Sequence, residues 1–137
     1  MTCITAFKIN IARINDDEMY EIIDLIGVEP GITEQFLYYG LLKKDTEDED
    51  FKLYDLLHET LSILYPKKEI LKKLINIYPI SYIVDVKFSN IEEEIERNTS
   101  FTIGEEAKEF ISYLDCYYNL NNGYFALIEK VNSAVNS

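Results

Sequence analysis

The chain has 137 residues, 47% hydrophobic and 28% charged, which is typical of one globular domain. Its 25 acidic side chains outnumber the 13 basic ones, and the formal net charge of −12 disfavours direct binding of nucleic acid. With one histidine and two cysteines, the chain is poorly equipped for metal binding and for acid–base or nucleophilic catalysis. We therefore expect no enzyme activity, no catalytic residue, no cofactor and no metal site.

The N-terminal segment and the cysteines favour a cytoplasmic location. The first eight residues do not combine a basic region with a long apolar run, as a signal peptide does. The longest apolar stretch, from Ile77 to Val84, is shorter than the roughly 18 residues of a membrane span. Cys3 and Cys116, in a chain without an export signal, are typical of reduced thiols. We expect no membrane binding.

The first part of the chain predicts a strand, a helix and a second strand. Apolar residues alternate over Cys3–Ile11, which predicts a half-buried strand. Asn15 predicts the N-cap of a helix that ends at Gly27. After a turn at Pro30-Gly31, the aromatic and aliphatic residues over Gln35–Leu42 predict a strand that ends at Lys43-Lys44.

The remaining part predicts three helices and two strands. Leucine spacing predicts a helix that begins near Asp50, and Pro66 fits the first turn of the next helix. Strict alternation over Tyr82–Phe88 predicts a strand. Gly104–Leu114 predicts a helix and Cys116–Leu120 a last strand.

This order of elements predicts a single α+β domain over residues 1–137, with its core at about 3–120 and a C-terminal extension at about 121–137. Three prolines and five glycines leave no stretch that resembles a linker. The arrangement that fits best is a ferredoxin-like sandwich, in which helices pack on one face of a mainly antiparallel sheet.

Three segments resemble a bacterial family of small proteins, domain of unknown function 4279. They are the helix end Asp24-Leu25-Ile26-Gly27-Val28-Glu29-Pro30, the segment Thr102-Ile103-Gly104-Glu105-Glu106, and Phe110-Ile111-Ser112-Tyr113-Leu114. The resemblance covers roughly residues 4–120. Where the family has a Gly-Trp pair this chain has no tryptophan, and Phe51 or Tyr54 would take that place. The resemblance implies a compact α+β domain with an immunity-type or partner-binding role, and no catalytic residues.

Tyrosines and acidic runs are the candidate partner-binding features. The doublets Tyr38-Tyr39 and Tyr117-Tyr118 lie in predicted strands, so each doublet directs one ring to each face of the sheet. At a protein interface, tyrosine rings supply contact area and carboxylates steer the partner by electrostatic attraction. The alternative is that these rings fill a core that lacks tryptophan. The candidate residues are Tyr38, Tyr39, Asp45, Glu47, Asp48, Glu49, Asp50, Glu92, Glu93, Glu94, Glu96, Tyr117 and Tyr118.

Motifs for other chemistry do not match. A calcium loop that begins at Asp45 needs glycine at its sixth position and glutamate at its twelfth, where this chain has Asp50 and Leu56. His58 has no nucleophile near it in the sequence. The lysines at 67, 68, 72 and 73 recur at helical spacing and predict a solvated helix face.

These observations favour a non-enzymatic acidic protein that neutralises a basic protein partner, such as an immunity protein against a nuclease-type toxin. One alternative is a phage-type DNA mimic that inhibits a restriction or CRISPR nuclease. Another is a small ligand-binding domain or hydrolase, whose cleft is lined by Glu92–Glu96 or by Glu105, Glu106 and Glu109. A homodimer through the sheet edge near Gln35–Leu42 is a further alternative.

Overall fold

The computed structural model describes residues 2–45, 52–89 and 103–121. Within these ranges the strands are β1 (Thr2–Asn10), β2 (Gly31–Ile32), β3 (Phe36–Asp45), β4 (Ser81–Ser89) and β5 (Tyr117–Asn121). The helices are α1 (Asp16–Ile26), α2 (Leu53–Ser62), α3 (Lys68–Ile77) and α4 (Glu105–Tyr113). A 3₁₀ turn at Tyr65–Lys67 precedes α3. The α+β prediction is confirmed. Among the described residues, no helix is both long enough and apolar enough to span a bilayer.

The strands form one sheet in the order β2-β3-β1-β4-β5. The first four strands of this order pair antiparallel, with β1 and β3 at the centre. This is the strand order of a ferredoxin-like sandwich. The fifth strand departs from that plan, because β5 runs parallel to its neighbour β4 and reaches it through α4.

The helices cover one face of the sheet. Residues at odd positions of β1 point into the core, and Phe7 contacts the ring of Phe110 from α4. Tyr82 of β4 lies beside Phe7 and donates a 2.6 Å hydrogen bond to the carbonyl of Leu71 in α3. Alternation of apolar residues along β1 and β4 therefore determines which sheet face the helices bury.

Local signals determine the ends of α1. The Asn15 side chain accepts a 2.8 Å hydrogen bond from the backbone N–H of Glu18, and the Glu18 carboxylate accepts one from the N–H of Asn15. At the other end, Gly27 has a φ of 76° and its N–H donates to the carbonyl of Ile23. Both predicted ends are confirmed, since this capping box and glycine stop use only neighbouring residues.

A bulge in β3 brings the sheet against α2. Thr5 and Phe7 of β1 pair with Leu42 and Tyr39, so β3 contains one extra residue between these pairs. Gly40 lies in this bulge with a φ of 63°, and a Cβ atom there would overlap the backbone carbonyl of Thr60 in α2. The bulge thus needs glycine both for its backbone conformation and for close contact with the helix.

Two predicted bounds differ from the structure, and one short strand was not predicted. The strand predicted to end at Lys43-Lys44 continues to Asp45, because Thr2 of β1 pairs with Asp45. Backbone pairing with a neighbouring strand thus outweighs the weak strand propensity of Asp. The short strand β2 was not predicted, and α2 begins at Leu53 rather than near Asp50.

Candidate functional site

The predicted acidic loop begins with a residue that belongs to the sheet. Asp45 is the last residue of β3, and the hydroxyl of Thr2 donates a 2.6 Å hydrogen bond to its carboxylate. This hydrogen bond, followed by the charge of Lys43 at 3.8 Å, lowers the pKa of Asp45 below its usual value. The other acidic candidates lie outside the described residues; they are Glu47, Asp48, Glu49, Asp50, Glu92, Glu93, Glu94 and Glu96.

The first tyrosine doublet divides between the two faces of the sheet. Tyr39 is only 2% exposed and lies in the core, where burial and the charge of Glu29 raise the pKa of its hydroxyl. Tyr39 is therefore removed from the candidate partner-binding residues, since its register opposite Phe7 turns the ring towards the helices. Tyr38 lies on the other face, half-buried, opposite Lys8.

The second doublet divides in the same way. Tyr117 is 67% exposed, whereas Tyr118 is half-buried and belongs to the rim of the core. The hydroxyl oxygen of Tyr118 is buried, and burial raises the pKa of this group. Of the four predicted tyrosines, Tyr117 is thus the ring that is most accessible to a partner.

A polar network occupies the face of the sheet opposite the helices. The Lys8 ammonium lies 2.9 Å from the carboxylate of Asp85, which also accepts a 2.8 Å hydrogen bond from the Asn119 side chain. The same ammonium lies 5.2 Å from the ring centroids of Phe36 and of Tyr38. This network joins β1, β3, β4 and β5 and therefore has a structural role. The ring of Tyr38 already has a cation beside it, the Lys8 ammonium.

The exposed side of α1 carries acidic residues around a tyrosine. Tyr20 is 58% exposed, and its neighbours at helical spacing are Asp16 and Asp17 in the preceding turn and Asp24 in the following turn. We call Asp16, Asp17, Tyr20, Glu21 and Asp24 the α1 acidic face. The helix contains no basic residue.

Sequence reasoning missed this surface because it assigned Asp16 and Asp17 only to the helix N-terminus. The signal that identifies it is the spacing of three and four residues between Tyr20 and the aspartates. The four residues that pack inward from α1 are Met19, Ile22, Ile23 and Ile26. Their spacing leaves Tyr20 on the solvent side.

Aromatic rings join α2 to α4. The imidazole of His58 stacks on the ring of Tyr54, with centroids 6.0 Å apart and planes 4° apart. His58 also contacts Tyr65 at 5.6 Å, and Tyr65 meets Phe110 edge to face at 5.2 Å. The Tyr54 ring fits there because Gly104, at the start of α4, has no side chain to overlap it.

Beside these rings lies a cleft of about 300 Å³, which we call the α4 cleft. Its lining residues are Tyr65, Lys68, Glu106, Glu109, Phe110 and Tyr113. They come from the 3₁₀ turn, the start of α3 and the length of α4, so the tertiary fold assembles the cleft from two separate stretches of the chain. The cleft combines aromatic walls with two carboxylates and one ammonium group.

Two hydroxyls of the cleft differ in their partners. The Tyr113 hydroxyl donates a 2.9 Å hydrogen bond to Glu69, which fixes the ring. The Tyr65 hydroxyl is buried without a hydrogen-bond partner in the part of the chain that the structure describes. Burial, followed by the charge of Glu106, raises the pKa of Tyr65 to about 12, so this hydroxyl keeps its proton at neutral pH.

Groups suited to metal or nucleophilic chemistry do not gather in residues 2–45, 52–89 and 103–121. No group of three or more His, Cys, Asp or Glu side chains is placed there to hold a metal ion. The two cysteines are free, and burial raises the pKa of Cys3 and of Cys116 to about 12. Because the thiolate is the nucleophile, thiols with such pKa values are unreactive at neutral pH.

Comparison with protein-family models, curated proteins and solved structures found no match to this chain. The resemblance to domain of unknown function 4279 therefore stays a prediction.

Proposed function

We propose that this protein is a cytoplasmic, non-enzymatic binding protein that neutralises a basic protein partner, with an immunity protein against a nuclease-type toxin as the concrete form. The observation that carries the proposal is the α1 acidic face, where an exposed tyrosine lies among carboxylates on a helix without basic residues. Such a surface combines an aromatic anchor with the charge that steers a cationic partner.

Charge elsewhere in the chain supports the same partner class. More than half of the net charge of −12 belongs to segments 46–51, 90–102 and 122–137, which include the two predicted acidic runs. Exposed Tyr117 adds a second aromatic contact at the opposite side of the sheet from the helices. We propose that the acidic segments attract the partner at a distance, and that the exposed tyrosines make short-range contacts.

The experiment compares three immobilised proteins in a lysate of the native host: the wild type, a face variant and a charge-matched control. The face variant carries Asp17→Asn, Tyr20→Ala and Asp24→Asn, and the control carries Glu34→Gln and Asp115→Asn at exposed sites outside α1. We expect the wild type and the control to retain the same basic protein at low salt, and the face variant to lose it. The purified partner should then bind the face variant at least about tenfold more weakly, because its anchor and two of its carboxylates are lost.

The salt dependence supplies a second criterion. The association rate with the purified partner should fall steeply as ionic strength rises, since long-range attraction is screened. Equal retention by all three proteins, or retention of no basic protein by the wild type, would overturn the proposal.

A further inference from the structure

The α4 cleft has the size of a side-chain pocket. Its volume of about 300 Å³ lies at the lower limit of ligand pockets, and its walls include the rings of Tyr65, Phe110 and Tyr113. A single amino acid side chain with a flat or elongated end group fits such a volume better than a folded protein segment does. Aromatic walls of this kind bind cations through their faces.

The chain itself shows that this region attracts cations. The ammonium of Lys68 lies 5.6 Å from the ring centroid of Tyr113, and that of Lys72 lies 5.3 Å from the same centroid. Lys72 also donates a 2.8 Å hydrogen bond to the Tyr113 carbonyl, so it is held in place by the backbone. Lys68 has no such backbone contact among the described residues, and its side chain is the one that lines the cleft.

The cleft also provides acceptors for N–H donors. Glu106 and Glu109 are exposed and lie three residues apart on α4, hence on one side of the helix. Glu106 is 3.7 Å from His58, whereas Glu109 has no ion-pair partner among the described residues.

We propose that the α4 cleft binds an arginine side chain of the basic partner, with the guanidinium against the aromatic walls and hydrogen-bonded to Glu109 and Glu106. This inference rests on the proposed function and names the group of the partner that is recognised. Arginine suits the cleft better than lysine, because its planar guanidinium stacks on rings and donates two parallel hydrogen bonds to a carboxylate.

Lys68 then acts as a competitor for the cleft. Its ammonium repels an incoming guanidinium and lies over the ring of Tyr113, which the guanidinium would contact. Removal of Lys68 should therefore strengthen arginine binding, whereas removal of a cleft carboxylate should weaken it. The position of the change separates a specific cleft from general attraction by a protein of charge −12, because only binding in the cleft distinguishes a lining carboxylate from another exposed carboxylate of α4.

The test uses the full chain, labelled with ¹⁵N, and the probe Nα-acetyl-arginine amide. Its neutral control is Nα-acetyl-citrulline amide, which has nearly the same shape. We expect saturable changes in the amide signals of Glu106, Glu109 and Tyr113 with the arginine probe, and none with the citrulline probe. Glu109→Gln should weaken binding about tenfold, as the loss of a charge-assisted hydrogen bond predicts.

Two variants complete the design. Glu105→Gln removes the same charge from an exposed position of α4 outside the cleft lining, and it should leave the affinity nearly unchanged. Lys68→Ala should strengthen binding about threefold, because a nearby like charge is removed. The spectra of all variants also report whether each remains folded.

The inference is overturned if the arginine probe causes no saturable change at the cleft, if citrulline binds equally, or if Glu105→Gln and Glu109→Gln act alike. The purified partner separates this failure from failure of the proposed function. A partner that binds the Glu109→Gln variant as tightly as the wild type, yet not the α1 face variant, would contradict the cleft and leave the proposed function standing.

Discussion

At the residue scale, two glycines with positive φ have different surroundings. Gly27 ends α1 in an exposed position, and the nearest atom to a Cβ there would be the flexible end of Lys67, at 3.6 Å. Gly40 lies in the β3 bulge, where the nearest atom would be the carbonyl oxygen of Thr60. That oxygen belongs to the backbone of α2 and can move only with the helix.

We expect Gly40→Ala to lower the free energy of unfolding by about 3 kcal/mol, since it combines backbone strain with a steric overlap. The matched variant Gly27→Ala should cost only about 1 kcal/mol, because it has the strain without the overlap. Urea denaturation of both variants and the wild type measures this difference. Equal losses would show that the bulge can move away from α2.

At the element scale, a buried pair of hydroxyls joins the central strand to a helix. The hydroxyl oxygens of Thr5 in β1 and Thr60 in α2 are 2.5 Å apart, and both side chains are fully buried. Each hydroxyl depends on the other for its hydrogen bond, because a buried donor or acceptor without a partner costs more free energy than an exposed one. The pair therefore contributes to the docking of α2 on β1 beside Gly40.

A double-mutant cycle tests this contact. Thr5→Val and Thr60→Val keep the shape of the side chain, and each should destabilise the fold by about 1–2 kcal/mol by leaving the other hydroxyl unpaired. The double variant should lose less than the sum of the two, with a coupling of about 1 kcal/mol. Additive losses, measured by urea denaturation, would mean that the two hydroxyls do not interact.

At the scale of the whole molecule, burial of thiols and phenols links the stability of the fold to alkaline pH. The pKa of Cys3 and that of Cys116 are raised from 9.0 to about 12 by burial, so the unfolded chain releases these protons first as pH rises. The contribution of these protonated thiols to the stability of the fold is complete below about pH 9 and is lost as the pH rises towards about 12. Over that window each thiol should lower the free energy of unfolding by about 1.4 kcal/mol per pH unit.

Cys116→Ala tests this linkage with a half-buried position, where truncation disturbs the core less than at Cys3. Between about pH 9 and 11, the free energy of unfolding of this variant should fall less steeply than that of the wild type, by about 1.4 kcal/mol per pH unit. The buried tyrosines are present in both proteins, and Tyr82, whose pKa is raised mainly by burial and also by the charge of Cys116, keeps the burial contribution in the variant. Urea denaturation with a reductant present gives the two slopes, and parallel slopes would contradict the prediction.

Local sequence by itself determined the ends of α1 and the faces of β1 and β4. Asn15 and Gly27 act on backbone groups within a few residues, and alternation of apolar side chains needs no knowledge of the partner strand. The net charge of −12 likewise follows from composition and limits the class of partners.

Only the tertiary structure decided which candidate residues are accessible and which meet. Asp45 joined β3 because it pairs with Thr2, and Tyr39 became a core residue because its register opposes Phe7. The α4 cleft brings Tyr65 and Lys68 beside Glu109, about 40 positions away in the chain. Such contacts depend on sheet register and helix packing, which are properties of the assembled chain and leave no periodic signal in any one segment.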